Sequence, residues 1–308
     1  MSIIVFGSIN MDLVVQTPRL PAPGETLAGH SFFTAPGGKG ANQAVACARL
    51  GAETHMLGRV GNDVFSGALR ESLSTAGVTI AGVASFEGPS GVAVIAVNDA
   101  GENTIVIVAG ANGAIGQADL TRLEALLPRA QVLLLQLEVP LESVIAAAQA
   151  AQRHGVTVIL DPAPARVLPD ALLQASDIIT PNETEAAILV GFPIISEHDA
   201  ERGALELLRR GVKQVVIKRG AQGAYWHNGT VGMLLPSFPV KAVDTVAAGD
   251  AFNGGLAAAL QAGQHFEEAL RWGLAAGALA VTKSGAQQAM PSRAELQAFL
   301  NACPQATK

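Results

Sequence analysis

The sequence predicts an α/β protein: a mainly parallel central sheet with helices on both faces, and a small β-sheet beside it as a lid. Three observations predict it. Short apolar runs alternate with amphipathic stretches of helical period, and repeated strand–helix alternation implies a parallel sheet between two helical layers. Most helical stretches stop near a glycine (Gly51, Gly77, Gly155, Gly191, Gly211), the residue that suits the turn after a helix C-terminus. Residues 13–34 and 91–108 break this rhythm, the first with three prolines and no helical period.

In chain order, residues 3–6 read as the first buried strand and 13–34 as part of the small sheet. Residues 41–50 and 64–76 have helical period. Residues 91–108 alternate apolar and polar side chains around Asn98-Asp99-Ala100-Gly101, a hairpin signature. A helix over 120–127 then leads to a buried strand over 132–137. A helix over 141–154 is followed by strands over 156–160 and 178–179. Helices over 183–190 and 200–210 precede a strand over 215–217. From residue 247 the pattern is mostly helical, over 248–262, 266–283 and 293–302. No linker or composition break interrupts the chain, so residues 1–308 read as one domain with lid insertions at 13–34 and 91–108.

The chain has 308 residues, 49% hydrophobic and 15% charged, enough for a substantial core. Its net charge is −6 with no Lys/Arg block, which argues against nucleic acid as a partner. No uncharged apolar run approaches 18 residues, so no membrane span is expected. The first residues lack a basic stretch and turn polar too early for a signal peptide. Cys47 and Cys303 lie far apart without metal-ligand spacing and read as reduced thiols, which points to the cytoplasm. The six histidines are scattered; HExxH, GxSxG and a complete GxGxxG after the first strand are all absent. Hydrolase and dehydrogenase readings lose support accordingly.

The most informative stretch is Asp244-Thr245-Val246-Ala247-Ala248-Gly249-Asp250-Ala251-Phe252-Asn253. A small-residue turn enters a helix there, and the backbone N–H groups of a helix start form an anion site. A carboxylate beside a bound phosphate is costly unless it takes a proton. Phosphoryl transfer to a hydroxyl with Asp250 as base follows, against the plainer reading of Asp250 as a first-turn acid on a capped core helix.

Other segments carry weaker signals. Pro36-Gly37-Gly38-Lys39-Gly40-Ala41-Asn42 opens a helix and reads either as a tight turn or as a close backbone approach to ligand, with Asn42 suited to a sugar hydroxyl. It is not a Walker A loop, because no Ser or Thr follows Lys39. Asn10 and Asp12 follow the first strand two residues apart, so they share a side where open α/β sheets bind ligands; an Asx-turn is the alternative. Asn182 fits a helix N-cap followed by first-turn acids. Glu138 ends a buried run, an unusual place for an acid that does not face a cleft.

Together these segments resemble the ribokinase-like (PfkB) sugar kinase family over nearly the whole chain. Gly37 to Asn42 looks like its N-terminal signature, Asp244 to Ala257 like its C-terminal signature, and Asn182-Glu183-Thr184-Glu185 like its NxxE element. Ser8 to Asp12, Asp161-Pro162-Ala163-Pro164-Ala165 and Gly285-Ala286-Gln287 extend the match toward kinases of free pentoses.

The resemblance implies a three-layer α/β/α sandwich with a β-sheet lid, and ATP-dependent phosphorylation of D-ribose at the 5-hydroxyl. Asn10, Asp12, Gly38, Lys39, Asn42 and Glu138 would hold the sugar, with Asp250 as base and Ala247, Ala248 and Gly249 forming the anion hole. Asn182, Glu185, Lys218, Gly220 and Gly223 would lie along the nucleotide, Glu185 reaching magnesium through water. Asp244, Val246, Ala280, Lys283, Gly285 and Ala289 mark the place of a monovalent cation, normally potassium. Pairing of two lids in a homodimer is also implied.

Two positions depart from the family pattern. Ala289 stands where a hydroxyl is common and cannot supply that ligand. Asp161 stands where Asn is common. Rival readings are a same-family kinase for 2-deoxyribose, fructose or a nucleoside, and a non-catalytic sugar-binding protein on the same fold.

Overall fold

The computed structural model describes residues 1–303. Its strands are β1 (Ser2–Phe6), β2 (Asn10–Thr17), β3 (Ser31–Gly37), β4 (Thr54–Val60), β5 (Thr79–Ser85), β6 (Gly91–Asn98), β7 (Asn103–Val108), β8 (Ala130–Leu135), β9 (Thr157–Leu160), β10 (Ile178–Ile179), β11 (Gln214–Lys218), β12 (Ala224–His227) and β13 (Gly232–Leu235). Its helices are α1 (Lys39–Arg49), α2 (Ser66–Thr75), α3 (Gln117–Leu126), α4 (Leu141–Arg153), α5 (Asp170–Gln174), α6 (Glu183–Val190), α7 (Glu197–Arg209), α8 (Ala248–Gln261), α9 (Phe266–Ala280) and α10 (Arg293–Ala302).

Nine strands form the central sheet in the order β13-β12-β11-β10-β9-β8-β1-β4-β5. The pairs from β11 across to β5 are parallel, and β12 and β13 add an antiparallel edge. The two-residue period of a strand divides the interior into two cores. Ile3 and Val5 of β1 pack with Val132 and Leu134 against α1, α2, α8, α9 and α10. Ile4 and Phe6 pack with Leu133 and Leu135 against α3, α4, α6 and α7. This is a three-layer α/β/α sandwich, and it explains why β1 and β8 read as unbroken apolar runs: both faces are covered.

The small sheet has the order β3-β2-β6-β7. The Asn98 side chain accepts from the amides of Ala100 and Glu102 in the β6–β7 turn, and Gly101 has φ +81°, as the hairpin signature requires. Leu13 and Val92 pack on the main core. Farther out the register puts Phe32, Val94, Val106 and Val108 on the same face as Leu13 and Val92, and Ile105 and Ile107 on the opposite face, all of them exposed. Val92 is partly covered.

The sheet order also locates the site. From β1 the chain builds outward through β4 to one side and through β8, β9, β10 and β11 to the other. Such a switch point leaves a crevice at the carboxyl ends of the strands. Ser8, Gln136, Glu138, Asp161, Asn182 and Lys218 all lie at those ends.

Candidate active site

Helix α8 begins on strain. Ala247 has φ 57° and ψ 13°, the one non-glycine residue with positive φ among those described. A left-handed alanine costs about 1–2 kcal/mol, and such outliers persist where the surroundings enforce them. The turn lets α8 start abruptly at Ala248. The Ala248 amide donates to the Thr245 carbonyl at 3.3 Å, so the first-turn amides of Gly249 and Asp250 are those directed along the helix axis.

The Asp250 side chain, 3% exposed, receives two amide hydrogen bonds. Asn42 Nδ2 donates to its Oδ2 at 3.0 Å and Gln43 Nε2 to its Oδ1 at 3.1 Å. Burial pushes its pKa up to about 6; Lys39 and the two amides oppose the rise, and the Asp161 charge adds to it. At neutral pH Asp250 is thus an ionised carboxylate close to its titration point, as a general base requires. Asn42 Oδ1 is buried without a hydrogen-bond partner, an acceptor that a ligand hydroxyl would satisfy.

Around Asp250 the expected sugar residues converge. Gly38 caps α1 with φ 89°, and a side chain there would strike the Asn10 backbone. Glu138 Oε2 accepts from Ser8 Oγ at 2.6 Å and from the Lys39 amide at 3.1 Å, placing a carboxylate at the positive end of α1. Asn10 and Asp12 follow β1, as expected, and form the start of β2. Their alternate positions share one face. Burial pushes Asp12 up to about 7, with Glu138 and Asp250 adding repulsion. Lys39 counters this acidic cluster: the carboxylates of Asp250, Asp161, Glu138 and Glu185 outweigh its burial and raise its pKa.

The expected nucleotide residues line a neighbouring cleft of roughly 740 Å³. Asn182, Glu185, Lys218, Gly220, Gly223 and residues 247–250 share its wall with Lys39. Asn182 and Glu185 also form a reciprocal capping box on α6, with both bonds at 2.8 Å, so the plain capping role and a place in the cleft coexist. Phe238, Val240, Phe252, Leu274 and Val281 supply an apolar wall, the usual lining of a cofactor-sized pocket. Asn10, Asp12, Gly38, Asn42 and Glu138 are not part of this wall. Asp250 and Lys39 stand between the two compartments.

Behind the cleft, Asp244 Oδ1 accepts from the Val246 amide at 3.0 Å and Oδ2 from the Gly285 amide at 2.9 Å. The amides of Val243 and Asp244 both donate to the Val281 carbonyl. These bonds hold the 243–246 and 280–289 segments together. Ala289 is buried and Lys283 pairs with Glu295 at 2.6 Å, leaving backbone carbonyls and the Asp244 carboxylate as donors suited to a hard cation. Among the described residues no group of three or more His, Cys, Asp or Glu side chains is placed to hold a metal ion.

Sequence reasoning missed the supporting amides. Asn112, fully buried, donates to Asn10 Oδ1 at 2.6 Å and accepts from the Ile9 amide at 2.9 Å. Gln43 and Gln136 brace Asp250 and Asp161. Gln43 sits one residue past Asn42 on α1, so helical spacing from Lys39 was the available signal. Asn112 carries none, because its partner lies 102 residues away.

The model of the pfkB family carbohydrate kinases matches residues 1–293. The chain belongs to the pfkB family of carbohydrate kinases. A ribokinase of Haemophilus influenzae is 42% identical over 300 residues, covering 97% of this chain and 98% of that protein. A deoxyribokinase of Salmonella typhimurium is 37% identical, covering 98% of this chain and 99% of its own. The structure of Arabidopsis thaliana ribokinase complexed with ribose and ATP superposes with a TM-score of 0.90 at 35% identity, covering 97% of this chain and 98% of that one. Among the described residues no helix of this pfkB kinase is long and apolar enough to cross a membrane.

Proposed function

We propose that this kinase transfers the γ-phosphoryl group of ATP to the 5-hydroxyl of D-ribose. One observation carries the reading: the buried Asp250 carboxylate stands at the start of α8, between a cluster of polar sugar-type ligands and a cleft with an apolar wall. Residues 1–308 act as one kinase unit, with the 13–34 and 91–108 insertions as its lid.

Asp250 takes the proton of the ribose O5–H as O5 bonds to the γ-phosphorus. The bond from that phosphorus to the bridging oxygen breaks, and ADP leaves with the electron pair. The transition state is loose, with charge on the equatorial oxygens. The first-turn amides of α8 meet that charge at the positive end of the helix dipole. Asn10, Asp12, Asn42 and Glu138 orient the sugar, and Asn182, Glu185 and Lys218 lie along the nucleotide phosphates. Glu185 would hold magnesium through water, since magnesium keeps several waters beside one or two carboxylates, and the ion would offset phosphate charge there. Asp244 with the carbonyls of Val246, Ala280, Lys283 and Gly285 fits potassium, whose charge would support the α8 turn from behind.

General-base catalysis is worth on the order of 10²–10⁴-fold and one oxyanion donor roughly 10²–10³-fold, so base and turn carry comparable weight. The exposed Phe32, Val94, Val106 and Val108 on one face of the small sheet support pairing of two copies there. The 37% identity to a deoxyribokinase favours 2-deoxyribose as the second reading of the acceptor. The deciding assay is ATP-dependent phosphorylation of ribose, 2-deoxyribose, fructose and nucleosides in parallel. A turnover preference for ribose supports the proposal; preference for another acceptor overturns it.

A further inference from the structure

Asp161 is a buried carboxylate for which phosphoryl transfer gives no task so far. It follows β9 directly and is 2% exposed. Its Oδ1 accepts from Lys218 Nζ at 3.0 Å and its Oδ2 from Gln43 Nε2 at 3.0 Å. The same Gln43 nitrogen donates to Asp250 Oδ1 at 3.1 Å, while Gln43 Oε1 accepts from Gln136 Nε2 at 2.6 Å. The orientation of the Gln43 amide is therefore fixed, with its nitrogen toward the two carboxylates. Lys218 in turn reaches the start of α8: a Cβ built on Gly249 would lie 3.2 Å from Lys218 Nζ. Ammonium and first-turn amides converge on one point of the cleft.

We propose that Asp161 is a positioning residue that holds the Lys218 ammonium at the start of α8, against the terminal phosphates of the nucleotide, while fixing Gln43 against Asp250. The proposal rests on the phosphoryl-transfer reading and deepens it. A lysine head on a four-carbon stem has many rotamers and three rotatable donors; one ionic hydrogen bond selects the rotamer that points at Gly249. The task demands a carboxylate. Lys218 and Gln43 both present donors to position 161, and only a carboxylate has an acceptor for each. Asparagine would turn its own NH2 toward one of them, leaving either a displaced ammonium or two facing amides. An alternative in which Asp161 merely fills the core leaves its effect independent of Lys218.

The test is a cycle of Asp161→Asn, Lys218→Met and the double variant. Affinity for magnesium ADP is measured by calorimetry without sugar, and KM for ATP and for ribose by assay. Asp161→Asn is expected to weaken ADP binding and raise the ATP KM about tenfold, the size of one charge-assisted hydrogen bond, with the ribose KM changing far less. Lys218→Met should show the same loss, and the double variant no further loss. Wild-type nucleotide affinity in either single variant, or losses that add in the double, overturns the proposal. If Asp161→Asn does not fold, the double variant against Lys218→Met decides: equal affinity supports the anchor, and a further tenfold loss overturns it. Because ADP binding is read without sugar, a wrong acceptor leaves this test intact. A wild type that binds no ADP overturns both readings.

Discussion

Asn42 and Asp250 meet at 3.0 Å across the interface between α1 and α8. The amide nitrogen of Asn42 is committed to the carboxylate while its oxygen is buried without a partner. One side chain thus orients the base and offers an acceptor to the hydroxyl that the base would deprotonate. Asp250→Asn should preserve the fold and sugar binding while turnover falls on the order of 10²–10⁴-fold. Ribose calorimetry beside steady-state kinetics checks both halves, and near-normal turnover would remove Asp250 from the mechanism.

The acid limb of kcat/KM should follow Asp250. With its carboxyl raised to about 6, the ionised base is lost as pH falls through that value. Lys39 lowers the Asp250 pKa, so Lys39→Met should move the limb upward as well as weaken binding. A pH–rate series on both proteins reads the displacement directly; a limb that stays in place in Lys39→Met argues against this coupling.

Asp12 should cost stability at neutral pH. Its pKa is raised by burial from the ordinary 3.8 to about 7, so the folded state favours the protonated form. The stabilisation this gives is full below 3.8 and is lost as pH rises through about 7. Asp12→Asn should therefore melt at a higher temperature than the parent at pH 8, with the gap closing toward pH 4, while its ribose KM rises. Melting curves across pH test the sign; a variant destabilised at pH 8 contradicts it.

Activity should be greater in potassium than in sodium, given Asp244 and the carbonyl-bearing 280–289 segment braced together. Asp244→Asn should blunt the response, and Ala289→Ser should strengthen it by restoring a hydroxyl. Initial rates in matched chloride salts suffice, and a cation-indifferent wild type would count against the assignment.

One face of the small sheet presents Phe32, Val94 and Val106 to solvent. Val106→Lys should leave the main sheet intact and shift the protein toward monomer in light scattering. A wild type that is already monomeric at assay concentration contradicts pairing through this face.

What the sequence disclosed follows from where each signal resides. β1, β8, β9 and β11 are covered on both faces, so their apolar runs are local and plain. β4 and β5 are the outer strands of the parallel sheet and mix His55, Arg59, Gly58 and Gly82 into their spans, which hides them from an apolar-run criterion. β12 and β13 are four residues each, and Asn228-Gly229 between them was the one usable hairpin sign. At the site, Asp250 and the α8 turn are legible because helix start, small residues and acid are contiguous. The roles of Asn112, Gln136 and Asp161 are not, because each depends on a partner brought by the crossover order of the sheet. Asn10 and Asp12 show the intermediate case: their shared face was readable, but the strand that carries them was not.

That strand has a mechanical consequence. Asn10 and Asp12 are the first and third residues of β2, which pairs with β3 and β6 along its length, whereas Asp250 is rooted in α8 on the main body. A sugar gripped by both would be a fastener between the small sheet and the helix start on the main body. Its hydroxyl pattern would then set how long the enclosure stays shut as well as how tightly the sugar is held, so a poorly matching sugar would lose residence time and protection from water together.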